Sequence, residues 1–353
     1  MSNLVSKSKL SVGSPKSIGA QKKLTFEKKH PTLKDIAEIC GLAVPTVSRA
    51  LSGASDIGKS TRDRVRKVAD EIGYIPNRAG LRLRTGKTNV ISLVLPTGLD
   101  GINYFSLIIT SIAGALRNTP YQLIVTPFFP DEDPIKPVKY IVETRSADAI
   151  IFNQIQPEDP RVKYLLEHNF PFVTHGRSIW SKKHSYFDFD NFEFAHLATV
   201  MLAKQGRKSL LLTAPPVSQN YSQHMISGMQ TASRTAGIQS DYFEEFSPNT
   251  TSKELRVQIS EYLQRHPEID GIITSTTFSA IEAISAINAV GRKLGQDIDL
   301  CTKESTPFFW RIRPEILTIT EDLTEAGSFL AKAALFAIDH PEQAYQQMLV
   351  TPK

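Results

Sequence analysis

Residues 31–53, PTLKDIAEICGLAVPTVSRALSG, constrain the chain most, because two helical periodicities meet there across a single glycine. Leu33, Ile36, Ala37 and Cys40 fall at i, i+3, i+4 and i+7, one apolar stripe along a first helix. Thr32 precedes the stripe and Asp35 follows three residues later, a capping-box-like start with Asp where Glu is more usual. Gly41 stops that helix. Pro45 suits the first turn of a second, where its missing N–H has no partner to lose. In the second helix Val47, Ala50 and Leu51 face inward. Val44, Pro45, Ser48 and Arg49 share the opposite face, with Thr46 at its edge. Two short helices around a glycine turn, the second polar outside, have the geometry of a helix-turn-helix that enters the DNA major groove. On pattern alone, a helical hairpin with a merely solvated face remains the alternative.

Charge supports a polyanion partner. The chain has 41 Lys+Arg and 36 Asp+Glu, +5 net. Through Lys87 there are 18 basic and 7 acidic residues, +11, which leaves 23 basic and 29 acidic residues, −6, for the remainder. The positive charge is concentrated around the helix-turn-helix, the footprint of a nucleic-acid binder joined to an acidic body. Residues 1–30 carry seven lysines against Glu27, without apolar period, and read as a disordered basic arm. The arm adds phosphate contacts or is only a solubilising tail. A third helix is expected at about 60–72, where Val65, Val68, Ala69 and Ile72 repeat the apolar stripe and close a three-helix core.

The residues of this region carry a family resemblance. Asp35-Ile36-Ala37, Gly41, Thr46-Val47-Ser48-Arg49, Leu51 and Gly53 resemble the DNA-binding head of the lactose/galactose repressor family. The likeness continues through Thr61, Arg62, Val65, Gly73-Tyr74 and Pro76-Asn77 to Leu83-Arg84-Thr85-Gly86-Lys87-Thr88. It implies DNA-contact candidates at Thr32, Val44, Pro45, Thr46, Ser48, Arg49, Asn77 and Leu83. Residues 77–88 match the family's hinge, which becomes helical when two copies pair on DNA and which inserts a leucine, here Leu83, into the minor groove. The alternative for Leu83 is packing against its own domain. Two departures matter. Ala43 stands where the family usually has Ser, so the second helix lacks a side-chain N-cap. Pro45 has no side-chain donor and offers a base only apolar contact, which leaves hydrogen-bonded readout mainly to Arg49.

From residue 89 the texture changes. Apolar runs at 89–96, 121–127, 148–153 and 171–176, and again at 208–215, 269–275 and 297–303, alternate with helical patterns. Continuous apolar strands spaced by helices indicate βαβ units in parallel sheets covered on both faces. There are too many for one compact sheet. Two similar α/β subdomains follow, with the chain crossing near Asp190 and again near Pro314 and a helix near 322–338. The expected division is an arm at 1–30, a helix-turn-helix domain at 31–76, a hinge at 77–88 and an effector-binding and dimerisation domain at 89–353. Within the last, one subdomain takes about 89–190 and 319–340 and the other about 191–318. The resemblance implies the periplasmic-binding-protein-like fold for this part.

Ligands of open α/β sheets bind outside the carboxyl ends of the strands. The strand-end candidates are Asn103, Phe105, Asn153, His175, Arg177 and Asp190 in the first subdomain, and His224, Thr276 and Glu304 in the second. By resemblance, Arg177 is the effector-binding arginine, Asp190-Asn191 the pair at the crossover, and residues 103–105 the stretch whose aromatic stacks on a sugar ring. A structural ion pair is the alternative for Arg177 and Asp190, and a packed histidine for His175 and His224. Thr276-Thr277, residues 301–304 and His224 depart from the family, so the ligand should differ from those of the best-matched members.

No P-loop, HExxH, GxSxG, CxxC or GxGxxG motif occurs, and the eight histidines do not fall at metal-ligand spacings. No enzyme activity, cofactor or metal is therefore expected. Cys40 and Cys301 are expected to be reduced core residues of a cytoplasmic, nucleoid-associated protein. No apolar run reaches a membrane span. The leading expectation is a homodimeric transcription factor, most readily a repressor, on a pseudo-palindromic double-stranded operator. Its DNA affinity is set by a small effector, with a sugar or sugar derivative the first choice by resemblance. A regulator answering to a protein partner, and a ligand-converting enzyme with a DNA-binding head, are the alternatives.

Overall fold

The structure is a computed structural model. It describes residues 31–75, 80, 82, 86–97, 102–129, 131–244 and 252–352. The expected arm at 1–30 and the candidates Asn77 and Leu83 lie outside them, as does the side chain of Asn103. The chain divides into two compact units, 1–80 and 81–353.

In the first unit, α1 (Leu33–Cys40), α2 (Val44–Leu51) and α3 (Lys59–Glu71) close one small core. Ile36, Ala37, Cys40, Val47, Ala50, Val65 and Ala69 are buried in it, the residues the periodicity picked out, with Val68 and Ile72 packed alongside. Gly41 has φ +61°, the left-handed turn that ends α1.

The second unit holds two parallel sheets. The first contains β1 (Val90–Pro96), β2 (Gln122–Phe128), β3 (Ala149–Phe152), β4 (Phe172–His175), β5 (Ser185–Phe189) and β11 (Gln347–Val350), in the order β11-β5-β4-β3-β1-β2. The second contains β6 (Ser209–Ala214), β7 (Gln239–Glu244), β8 (Gly271–Thr274), β9 (Asp299–Glu304) and β10 (Leu317–Thr320), in the order β10-β9-β8-β6-β7. Every recorded pairing is parallel.

Each sheet buries both faces, and the alternation along its strands shows how. Ile91, Leu93 and Leu95 of β1 join a core with α4 (Ile102–Ala115) and α12 (Leu323–Asp339). Val90 and Val94 join the opposite core with α5 (Ile135–Thr144) and α6 (Pro160–Glu167). The second sheet repeats this. Leu210 and Leu212 pack under α7 (Asn191–Lys204) and α8 (Asn220–Ala236), and Leu211 under α9 (Ser252–Arg265) and α10 (Thr277–Ala289). One glycine in each lobe lets two helices meet closely. A Cβ on Gly228 of α8 would lie 2.1 Å from the Phe192 carbonyl oxygen, and one on Gly327 of α12 would lie 2.4 Å from Ser111 Cβ.

The chain leaves the first sheet after β5, at Asp190. The second crossing does not fall near Pro314. β10 still belongs to the second sheet, and the chain returns only at Glu321. β5, β7, β10 and β11 escaped the sequence pattern because they are short or mix polar residues with apolar ones.

Candidate DNA-reading face and effector cleft

On the first unit, α2 presents Val44, Pro45 and Arg49 to solvent, with Thr46 and Ser48 half-buried beside them. Ala43 precedes the helix in extended backbone and caps nothing, so its first-turn N–H groups meet no side chain there. Thr32, exposed at the start of α1, directs its N–H and hydroxyl to the Asp35 carboxylate at 2.6 and 2.7 Å. Its hydroxyl is thus already engaged locally. Arg49 is the single cation of α2, and its Nη2 pairs with Asp56 in the turn before α3. Both side chains remain open to water, at 58% and 48% exposure.

On the second unit, the carboxyl ends of both sheets face one another, and a chain of buried polar groups runs between them. The Tyr104 hydroxyl, on α4, lies 2.5 Å from His175 Nδ1 at the end of β4. His175 Nε2 lies 3.5 Å from Glu321 Oε1, and Glu321 Oε2 lies 2.9 Å from Lys303 Nζ on β9. The Lys303 ammonium also donates to Asn191 Oδ1 at 3.0 Å and sits 5.2 Å from the Phe189 ring centre. Tyr104 and Glu321 thus flank the two ring nitrogens of His175. Glu321 therefore joins a first-lobe imidazole to a second-lobe ammonium. Burial pushes its carboxyl up, but Lys303 and His175 prevail and hold it at about 2. The Tyr104 hydroxyl is raised by burial and by the charge of Glu321.

Arg177 stands just beyond β4. Its Nε donates to Asp188 Oδ2 at 2.6 Å, with the two side chains 24% and 5% exposed. Burial raises the Asp188 carboxyl, and Arg177 pulls it back without overtaking. Among the described residues the remaining guanidinium N–H groups of Arg177 have no recorded bond, so the aspartate orients the fork and leaves it donors to use. The start of α8 closes over this point from the second lobe. Asn220 Nδ2 donates to the Arg177 carbonyl at 2.7 Å, and the Asn220 N–H to the Ile155 carbonyl at 2.8 Å. His224, one turn on, is lowered by burial and by the Arg177 charge, with Asp190 opposing.

Among the described residues, Asn153 Oδ1, just after β3, and Gln219 Oε1 and His224 Nδ1, at the start of α8, are buried without a hydrogen-bond partner. Buried polar groups are paired in the large majority of cases. The segments that carry these three atoms meet beside Arg177, through the Asn220 bonds to Arg177 and Ile155.

Other sequence candidates have structural tasks. Asp190 Oδ1 accepts from the Glu193 N–H at 3.2 Å and caps α7. Thr276 forms a capping box with Ser279 at the start of α10. Glu304 is buried, and its Oε2 accepts from the N–H groups of Phe308 and Phe309 at 3.1 and 3.3 Å, capping the short helix α11 (Phe309–Ile312). Phe105 packs against the first-lobe core, and its neighbour Tyr104 is the ring that reaches the polar chain. Sequence reasoning missed Asp188, Gln219 and Glu321. Two of them lie on β5 or directly after β10, strands it did not find. A surface hollow lined by Ser209, Gln239, Asp241, His266 and Glu268 lies at the opposite, amino-terminal ends of β6 and β7, away from this cleft.

A small helical reader of duplex DNA and a two-lobed sensor on one chain make a ligand-responsive transcriptional regulator. Comparison with known proteins gives the family. "Bacterial regulatory proteins, lacI family" matches residues 32–77, and "Periplasmic binding proteins and sugar binding domain of LacI family" matches residues 88–305. The HTH-type transcriptional regulator AglR of Rhizobium meliloti (strain 1021) is 30% identical over 323 residues, 88% of this chain and 90% of that protein. RafR of Escherichia coli is 32% identical over 75% of this chain and 79% of its own. The lac repressor dimer bound to operator and the anti-inducer ONPF superposes with a TM-score of 0.77 at 20% identity, covering 92% of this chain and 97% of that one. The CelR–cellobiose complex superposes at 0.66, also at 20% identity, over 92% and 98%. The chain belongs to the lacI family of bacterial regulatory proteins. No helix among the described residues is long and apolar enough to cross a membrane.

Proposed function

We propose that two copies of this chain bind a pseudo-palindromic operator in the cytoplasm, without enzymatic turnover, and that a carbohydrate held between the lobes sets their affinity for it. Arg49 reads a base edge, while Thr46 and Ser48 contact phosphate or base. Arg177, Asn153, Gln219 and His224 bind sugar hydroxyls. The observation that carries the effector assignment is the group of three orphaned polar atoms beside an aspartate-oriented guanidinium. A sugar supplies both donors and acceptors to such a set, and a carboxylate-steadied fork suits vicinal hydroxyls. The CelR–cellobiose complex, of the same fold, supports the ligand class. Pairing is assigned to the second-lobe surface at α11, where Phe308, Trp310 and Ile312 are exposed, Trp310 at 57%. Half-sites about one helical turn apart, roughly 34–36 Å, follow from two-fold pairing.

A ligand shifts operator affinity only through its different affinity for the two lobe arrangements. The test is a thermal-shift screen of neutral mono- and oligosaccharides, followed by operator binding with each hit at fixed salt. A hit that also changes operator affinity is the expected result. A sugar that is turned over, or a panel in which none binds while a protein partner changes operator affinity, would replace this assignment.

A further inference from the structure

We propose that Asp56 is the positioning residue of the DNA-reading face, restraining the Arg49 guanidinium for base-edge recognition and against phosphate contact. The inference rests on Arg49 being the base reader. It adds an acid that touches no base to the residues that set sequence preference.

A lone exposed arginine on a reading helix has an easy alternative to a base. Phosphates line both walls of the groove, and the attraction to them is blind to sequence. The arrangement around Arg49 works against that alternative. Its partner stands on a turn that is fixed at several points. The Ala54 N–H donates to the Arg49 carbonyl at 3.0 Å, and the Ile57 N–H to the Ala54 carbonyl at 3.2 Å. The Ile57 side chain packs against the head core. From α3, Arg62 Nη1 donates to the Gly53 and Ala54 carbonyls at 3.4 and 3.2 Å. The carboxylate therefore sits on an anchored platform, and Arg49 is tied to it.

Only Nη2 of Arg49 is engaged by Asp56, and no other bond of its guanidinium is recorded among the described residues. A guanidinium carries five N–H donors in a rigid fork, and a guanine edge takes two. Arg49 can hold Asp56 and a guanine together. A phosphate is different. An arginine drawn to it either abandons the aspartate beside the negative duplex or brings two anions together. Asp56 thus penalises the sequence-blind contact more than the sequence-reading one, which is specificity obtained by disfavouring the wrong partner.

The experiment uses the full-length chain. A binding site is first selected from a random duplex library with the wild type. Wild type, Asp56→Ala, Asp56→Asn, Arg49→Ala and the Arg49→Ala/Asp56→Ala double variant are then titrated against that site, its single-base variants and a random duplex across a salt series. Asp56→Ala is expected to lower discrimination at one base position about tenfold, within the range a bidentate contact supplies. It should be the same position that Arg49→Ala relaxes. Asp56→Ala should also bind random duplex more tightly, with a salt slope steeper by about one phosphate contact. In the Arg49→Ala background the aspartate change should leave discrimination untouched. Asp56→Asn, which keeps the volume, should follow Asp56→Ala, and unchanged melting curves certify the fold. An equal gain on every duplex, or effects that add independently of Arg49, overturns the proposal and leaves Arg49 as reader. An Arg49→Ala variant that weakens all duplexes alike removes the reader assignment itself.

Discussion

Two arginine–aspartate pairs, Arg49–Asp56 on the DNA-reading face and Arg177–Asp188 at the cleft, use the same chemistry in different surroundings. The first lies in water, with its side chains 58% and 48% exposed; the second is 24% and 5% exposed. An exposed pair contributes about 0–1 kcal/mol and is screened by salt. A buried pair is little evidence of stability as a pair, yet stranding one of its members costs about 3–5 kcal/mol. The contrast matches the tasks proposed for them. A reader has to pass from one base edge to the next along DNA with Asp56 beside it, so its ion pair biases the guanidinium without fixing it. A ligand-orienting guanidinium has to keep its direction when the site empties, so its pair is sheltered. Asp188 shows the strain of that shelter: burial pushes its carboxyl up, and Arg177 only partly reverses this.

The largest effect should come from breaking the sheltered pair on its acidic side. Asp188→Ala leaves Arg177 partly buried and unpaired and should lower unfolding free energy by about 3 kcal/mol in urea titrations. A loss below about 1 kcal/mol would show that the two pairs are alike and that burial does not separate them.

Next is the acid response of Glu321. Its carboxyl is held at about 2 against an ordinary value of 4.5. A depressed acid contributes stability that is fully present above its unfolded value and lost as pH falls through its folded one. Wild-type stability should therefore decline between about pH 4.5 and 2, by up to about 3 kcal/mol from this group. Glu321→Gln should be less stable at neutral pH and should lack that part of the acid slope. Asp188 cannot supply the same slope, because its shift has the opposite sign. Equal slopes in Glu321→Gln and wild type would remove Glu321 from the acid response.

Much of this was legible in the sequence, unevenly. The head was readable almost to the residue, because Ile36, Cys40, Val47, Ala50 and Val65 form a local pattern that decides its own packing. The central strands β1, β3, β6 and β8 were readable because both faces are buried and the residues run continuously apolar. β5, SYFDF, was not, since its polar residues serve the cleft and its neighbours more than the core. Among the candidates, His175, Asn153 and His224 were named from strand ends, and Arg177 from a strand end and the family resemblance together. Strand-end position says where a residue is and not where its side chain turns. Thr276 and Glu304 turn to helix starts, and Asp190 does the same. Asp188 and Glu321 gain meaning only from partners far along the chain, and no local pattern carries that information.

A smaller effect separates the orienting role of Asp188 from its role in stability. Arg177→Lys keeps the charge beside Asp188 but replaces a planar fork with a single ammonium. It should cost less than about 1 kcal/mol of stability while weakening effector binding about tenfold or more, read by calorimetry on whichever sugar the screen returns. Unchanged effector affinity would assign Arg177 to structure alone.

The smallest expected change is at the exposed pair. Asp56→Ala and Arg49→Ala should each alter unfolding free energy by less than about 0.5 kcal/mol, because neither side chain gives up much contact with water on pairing. The difference that remains should shrink as salt rises, since near 1 M the screening length falls to about 3 Å, shorter than most separations between exposed charges. The Asp188→Ala loss should persist at the same salt, because a sheltered charge is screened far less. Unfolding curves of all three variants at low and high salt therefore set the two pairs against each other in one experiment. A salt-resistant loss at Asp56 would mean that the reader's arginine is held as firmly as the sensor's, and that exposure to water does not weaken the pair.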